Sequence, residues 1–233
     1  MPHLSLITLP RASTRWRFMT PYQLHQQLWK GFEGIGRGES ENRFLYRYEQ
    51  GEGEHSVLVQ SVEKPSWAHI KDEAEGSVVR MRSFDPAALP IGEPLRFKLR
   101  ANPVVSRKYP DGITKRIAVG SDRARLAEIR GMTLEELPSR EEMLIEWLEK
   151  KGRDGGFAIE HGMNDRILCD VGPNLDIVVR KPARAGDHRV TLTSIDFTGV
   201  LTVTDVDRFA ESLRHGIGRG RAFGCGLLSV ARL

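Results

Sequence analysis

Cysteine is nearly absent from this chain: Cys169 and Cys225 are the only two in 233 residues. They lie far apart and have no His or Cys at ligand spacing, which excludes a disulfide framework and a zinc site and reads both as small apolar residues. Long hydrophobic runs are also missing. The N-terminus offers only Leu4 to Leu9 before Pro10 and Arg11, far short of the ~20 residues that span a bilayer, so no membrane association and a cytoplasmic location are expected. There is no HExxH, no pair of aspartates on adjacent strands, no nucleophile elbow and no Gly-Lys-Ser/Thr, which removes metal-hydrolase, serine-hydrolase and P-loop chemistry and leaves no cofactor to expect. Acidic residues are unevenly missing: none precedes Glu33 and none follows Glu211.

The composition that remains is ordinary for a globular protein, 39% hydrophobic and 28% charged, with a net charge of +4 that leans towards an acidic partner. Its distribution says more than its total. Ten Lys or Arg stand between Arg96 and Arg130 against Asp111, Asp122 and Glu128, and the segments Arg107, Lys108, Lys115, Arg116 and Arg180, Lys181, Arg184 have the character of phosphate contacts. The C-terminus reads GIGRGRAFGCGLLSVARL from Gly216. Glycines let the backbone take positive φ and approach a ligand, while Arg219 and Arg221, between Gly218 and Gly220 and beyond, put fixed positive charge on the same loop. The order around it is helix, loop, strand, the inverse of a dinucleotide fingerprint, and Leu227 to Leu233 is too short for a βαβ unit. A nucleotide-dependent metabolic enzyme is therefore disfavoured, and the loop suits a polymeric phosphate backbone.

Hydrophobic periodicity predicts two similar halves. Leu4 to Leu9 is a strand, Pro21 to Phe32 a helix, Phe44 to Tyr48 and His55 to Val62 a hairpin, Trp67 to Glu75 a short helix, and Leu95 to Val105 closes the first half. Residues 106–137 read as a charged, irregular connector. A helix starting near Ser139 puts Met143, Leu144, Trp147 and Leu148 on one face; the strands Leu175 to Lys181 and His188 to Val203, a helix from Asp205 capped by Thr204, and the terminal strand complete the second half. The expected class is α+β, with two tandem ferredoxin-like (RRM-like) βαββαβ domains at 1–105 and 138–233 and a cleft between them.

The first helix holds a pair open to two readings, proton-transfer chemistry or ordinary packing at the edge of an apolar stripe. Thr20 with Gln23 is a capping box and Pro21 occupies the first helical position, so its start is well specified. Leu24, Leu28 and Phe32 form the core stripe, whereas Tyr22, His25 and Trp29 lie on an adjoining face. Tyr22 and His25, one turn apart, bring a phenol and an imidazole to one substrate group, and imidazole both accepts and donates protons near neutral pH.

The segments LSLITLPR, PYQLHQQLW, RFLYRYE, VLVQS, LRFKLRANPV and GIGRGRAFGCGLLSV together resemble the CasE family, the CRISPR-associated endoribonucleases of the type I-E system, from first strand to C-terminus. The resemblance implies two tandem ferredoxin-like domains and metal-independent cleavage of precursor CRISPR RNA beside the repeat stem-loop. Attack by a ribose 2′-hydroxyl would leave a cyclic phosphate and a 5′-hydroxyl, and the product would stay bound within the Cascade complex, whose other subunits become partners. Tyr22 and His25 match the family's catalytic pair, and Lys30 a basic residue that stabilises charge on the phosphorane. Arg180, Lys181 and the turn after them match the hairpin that grips the RNA stem. Gln26 stands where some relatives have arginine, and Arg219 where relatives often have proline. A second reading keeps the fold and the RNA but makes the protein catalytically silent.

Overall fold

In a computed structural model, which describes residues 1–32, 44–109, 112–181 and 188–233, the chain opens on β1 (His3–Pro10), with Ser5, Ile7 and Leu9 on its buried face. Helices α1 (Thr14–Arg17) and α2 (Pro21–Trp29) follow, then the hairpin β2 (Phe44–Gln50) and β3 (Glu54–Ser61), α3 (Ala68–Glu73) and β4 (Val78–Ser83). The four strands make an antiparallel sheet in the order β2-β3-β1-β4. Leu24 and Leu28 of α2 and Ile70 of α3 pack on Ile7, Leu9, Val57 and Val59 of that sheet, each such burial contributing roughly 1.5–3 kcal/mol.

The closing strand of this sheet is not the one expected. The apolar alternation of Leu95 to Val105 predicts the strand that completes the first half, but Val78–Ser83 pairs with β1 and occupies that place. Arg80 and Arg82 are exposed there and break the apolar alternation that marks a strand, as charged side chains often do on the rim of a sheet.

The next strand, β5 (Pro94–Ala101), is instead central to a second sheet. Leu95, Phe97, Leu99 and Ala101 are buried in its core, and Arg96, Lys98 and Arg100 line the opposite face. The chain then forms the hairpin β6 (Val104–Lys108) and β7 (Thr114–Ala118), α4 (Arg123–Arg130) and α5 (Arg140–Gly155). Much of the stretch expected to be an irregular connector is thus ordered. It carries few apolar residues because the hairpin projects its strands into solvent; Ile117 alone among β7 side chains is fully buried.

Strands β8 (Phe157–Ile159), β9 (Cys169–Val171), β10 (Leu175–Lys181) and β11 (His188–Val203), helix α6 (Val206–His215) and β12 (Leu228–Arg232) complete the chain. The second sheet runs β10-β11-β5-β12, with β8 and β9 also paired to β11. Met143, Leu144, Trp147 and Leu148 of α5 are buried against it as their spacing predicts. The cap of α6 is Asp205, whose carboxylate accepts the Arg208 backbone N–H at 3.0 Å, one residue beyond the Thr204 expected. Aspartate fits the positive end of the helix better than threonine does. No helix among the described residues is long and apolar enough to cross a membrane.

The two sheets are joined along β2 and β5 by polar contacts. The Arg47 guanidinium, nearly fully buried, donates to the carbonyls of Lys98 and Leu227 (both 3.1 Å), to Ser229 Oγ (2.9 Å) and to Glu49 (2.7 Å). Lys98 donates to the same Glu49 carboxylate at 2.8 Å. Arg100 donates to the Tyr48 carbonyl (2.8 Å) and, with two nitrogens, to Asp196 (2.6 and 2.8 Å).

Candidate functional site

The start of α2 is built as its sequence dictates. The Gln23 backbone N–H donates to Thr20 Oγ1 at 3.3 Å and the Thr20 N–H returns a bond to Gln23 Oε1 at 2.8 Å, with Pro21 in the first turn. Both bonds satisfy amides that a helix leaves without partners. Leu24 and Leu28 face the core, which turns half-buried Tyr22 and His25 towards the surface on one side of the helix. The His25 ring rests against Phe44 (centroids 5.1 Å apart), Trp29 and Tyr46 (both 6.1 Å). It is thus wedged among aromatic rings without being sealed from solvent.

Lys30 caps the C-terminal end of α2. Its ammonium lies 3.0 Å from Glu73 Oε1, while Arg15 approaches the other carboxylate oxygen at 3.4 Å. One carboxylate of α3 therefore holds two cations beside α2. Side-chain exposures of 44% for Lys30 and 63% for Arg15 keep these contacts weak, since exposed pairs contribute only ~0–1 kcal/mol.

The C-terminal loop packs on the same helix. All five of its glycines have positive φ, from 73° at Gly216 to 94° at Gly226. A Cβ at Gly216 would lie 2.9 Å from both the Gly226 carbonyl and Leu45, and one at Gly224 would lie 3.2 Å from the Tyr46 ring. The glycines thus allow the loop to fold tightly against β2 and upon itself. The Gly226 N–H donates to the Arg100 carbonyl at 2.7 Å and the Ile217 N–H to Gly226 at 2.9 Å. The turn Arg221–Phe223 packs on α2 and β2. Arg219 is exposed and its backbone bridges Asn102. Arg221 is half-buried, and burial, reinforced by the neighbouring Arg219 charge, lowers its pKa from the usual guanidinium value. Its Nε is buried with no hydrogen-bond partner.

Tyr46 links the helix to the loop and was not visible as a functional residue in the sequence. Its hydroxyl lies 2.6 Å from the Pro21 carbonyl and 3.1 Å from the Ala222 carbonyl. Burial, with a smaller contribution from Cys225, raises its pKa well above the phenol range, so it stays protonated. Glu73 was equally missed. Neither had a sequence signal: the bonds of Tyr46 reach across 25 and 176 residues and Glu73 lies 43 residues from Lys30.

The other basic residues fall into two groups. Arg107, Lys108, Lys115 and Arg116 are all exposed on the β6–β7 hairpin, with Arg107 directly opposite Lys115. Tyr109 lies beneath both, 5.8 Å from the Arg107 guanidinium and 4.7 Å from the Lys115 ammonium. Arg180 and Lys181 end β10 opposite Arg189 and His188. Like charges directly opposed, as Arg107 and Lys115 are, disfavour a hairpin taken by itself. Arg184 lies outside the described residues. Both cysteines are buried, and burial pushes each thiol up to about 12.

Among the described residues no group of three or more His, Cys, Asp or Glu is arranged to hold a metal ion. What the geometry defines is a mixed α/β protein in which a His–Tyr helix abuts an arginine-bearing glycine loop. The chain belongs to the CRISPR-associated protein family, whose model matches residues 3–232. It is 33% identical over 218 residues, 91% of this chain and 90% of the relative, to the CRISPR-associated endoribonuclease Cse3 of Thermus thermophilus. It is 31% identical over 236 aligned residues, 99% of this chain, to the Cascade subunit CasE of Escherichia coli K12, which it covers in full. Among solved structures, Thermus thermophilus Cse3 bound to an RNA representing a pre-cleavage complex matches with a TM-score of 0.71 at 29% identity, covering 99% of this chain and 98% of that one.

Proposed function

We propose that this protein is a cytoplasmic endoribonuclease that cuts precursor CRISPR RNA beside the repeat stem-loop and stays with the product as a Cascade subunit. The observation that carries this reading is the placement of Tyr22 and His25 on one face of α2, beside the Arg219–Arg221 loop, in a chain with Cse3 and CasE among its relatives. A phosphate held by Arg219 and Arg221 would bring a ribose 2′-hydroxyl to α2. His25 transfers protons between the attacking and leaving oxygens, the kind of step that typically contributes ~10²–10⁴ in rate. Tyr22 orients the attacking hydroxyl, and Lys30, once released from Glu73, stabilises the doubly charged phosphorane. The 2′-oxygen bonds to phosphorus and the 5′-oxygen of the next nucleotide departs with a proton, leaving a 2′,3′-cyclic phosphate and a 5′-hydroxyl.

The strand orders β2-β3-β1-β4 and β10-β11-β5-β12 support two ferredoxin-like units in tandem, meeting between Ser83 and Pro94. The basic hairpins β6–β7 and β10–β11 serve as grips on the RNA, through Arg107, Lys108, Lys115, Arg116, Arg180, Lys181 and Arg184. The test is cleavage of a repeat hairpin in excess chelator. The wild type should cut; a 2′-deoxy substitution at the scissile nucleotide should abolish cutting and His25→Ala should slow it by ~10²–10⁴, with the hairpin bound in both cases. A wild type that binds without cutting would establish the catalytically silent reading instead.

A further inference from the structure

We propose that Tyr46 is a positioning residue for cleavage: its hydroxyl fastens the first turn of α2 to the glycine-rich loop and so sets the His25 imidazole against a phosphate held by that loop. The inference rests on the reading of His25 as the proton-transfer group. Three contacts carry it. The hydroxyl donates to the Pro21 carbonyl at 2.6 Å, and in helical register that carbonyl is also the acceptor for the His25 backbone N–H. The same hydroxyl lies 3.1 Å from the carbonyl of Ala222, inside the turn between Arg221 and Phe223. The ring itself stands 6.1 Å from the His25 ring and closes on Gly224, where a Cβ would come within 3.2 Å.

A phenol has one hydrogen to offer and here two carbonyls to receive it. The hydroxyl belongs to a residue only 1% exposed, so its removal leaves the Ala222 carbonyl with no equivalent side-chain donor beside it. The Pro21 carbonyl would keep the His25 N–H, but the Ala222 carbonyl would lose this donor and nothing would tie the two, so the helix and loop would part. A shift of that kind moves His25 relative to Arg219 and Arg221, and misplacement of a reacting group by about 1 Å costs up to ~10² in rate. RNA affinity, spread over the basic hairpins, would barely change.

The experiment compares Tyr46→Phe with wild type in single-turnover cleavage of a repeat hairpin, in binding of its 2′-deoxy analogue, and in each background with His25→Ala. The expected result is a 10- to 100-fold slower cut, binding within twofold, and no further loss when Tyr46→Phe is added to His25→Ala. Gly224→Ala, which pushes on the ring from the loop side, should slow cleavage in the same way if Tyr46→Phe proves too unstable to assay. A rate within twofold of wild type for both variants overturns the proposal. So does a loss that merely follows weakened binding, or one that persists in full on top of His25→Ala. If His25→Ala itself cuts normally, the proton-transfer reading falls and takes the proposal with it, whereas an indifferent Tyr46→Phe beside an essential His25 sinks the proposal alone.

Discussion

Replacing Arg47 by methionine should loosen the join between the two sheets by an amount that the contacts predict. Methionine keeps much of the apolar stem and removes the guanidinium, so the packing loss is small. Four acceptors lose a donor: the Lys98 and Leu227 carbonyls, Ser229 Oγ and Glu49. Glu49 keeps Lys98 and Ser229 still donates to the Lys98 carbonyl. The uncompensated part is chiefly the carbonyl of Leu227, a residue 1% exposed. A buried acceptor left without a donor costs ~1–3 kcal/mol, and hydrogen bonds to charged groups contribute ~1.5–3 kcal/mol each before the recovered hydration of arginine is subtracted. A net destabilisation of about 2–4 kcal/mol follows, which for a chain of this size lowers Tm by roughly 5–15 °C. Differential scanning calorimetry of the free protein measures it directly. Arg47→Lys should recover only part of the loss, because an ammonium cannot fork to acceptors on three strands. A Tm within 2 °C of wild type for Arg47→Met would refute the idea that this buried guanidinium holds the sheets together.

Three further outcomes are expected. Burial alone would raise the Glu49 carboxyl, but bonds from Lys98 and Arg47 outweigh it and hold the pKa below the ordinary value; the stability from this group is therefore present above the unfolded carboxylate pKa and lost as pH falls through the lower folded one, so Glu49→Gln should flatten the acid limb of a Tm-against-pH curve. Gly216→Ala places a methyl 2.9 Å from the Gly226 carbonyl at a backbone φ of 73°, and the combined clash and strain should cost ~1–3 kcal/mol by chemical denaturation. Removing Arg107 and Lys115 together from the β6–β7 hairpin should weaken RNA binding and reduce the slope of log K against log salt by roughly 1.5, at about 0.7–0.9 per phosphate contact, while the cleavage rate of saturated enzyme stays the same; an unchanged salt slope would separate this hairpin from the RNA.

Local patterns in this sequence spoke for local structure. The capping box at Thr20, the stripe of Leu24, Leu28 and Phe32, and the buried face of α5 all depend on spacings of three or four residues and appear where the periodicity puts them. Pairing between distant strands was not legible in the same way. Leu95 to Ala101 alternates as a strand should, but nothing in that alternation says which neighbours it will take, and it joined β11 and β12 rather than β1. Val78–Ser83 was hidden for the opposite reason: an edge strand with arginine at alternate positions lacks the apolar signal that burial on both faces produces.

The glycine-rich loop shows where the candidate site itself passed beyond sequence reasoning. Its glycines suggest a backbone opened for a ligand, and the positive φ values fit that thought, yet a Cβ would clash with protein atoms at Gly216 and press tightly on them, at 3.2 Å, at Gly224 and Gly226. The loop's shape is thus specified from inside, by β2 and by its own carbonyls. The arginines are what it turns outward, Arg219 fully and Arg221 in part. A loop so constrained presents its charge at a defined distance from α2 without a ligand to organise it, which lowers the ordering cost of binding a phosphate there. By this argument a further glycine-to-alanine exchange, Gly226→Ala, should impair cleavage through displaced arginines. Its loss should shrink when Arg219 and Arg221 are already alanine, and equal losses in both backgrounds, read in single-turnover cleavage, would return the glycines to the role of direct ligands.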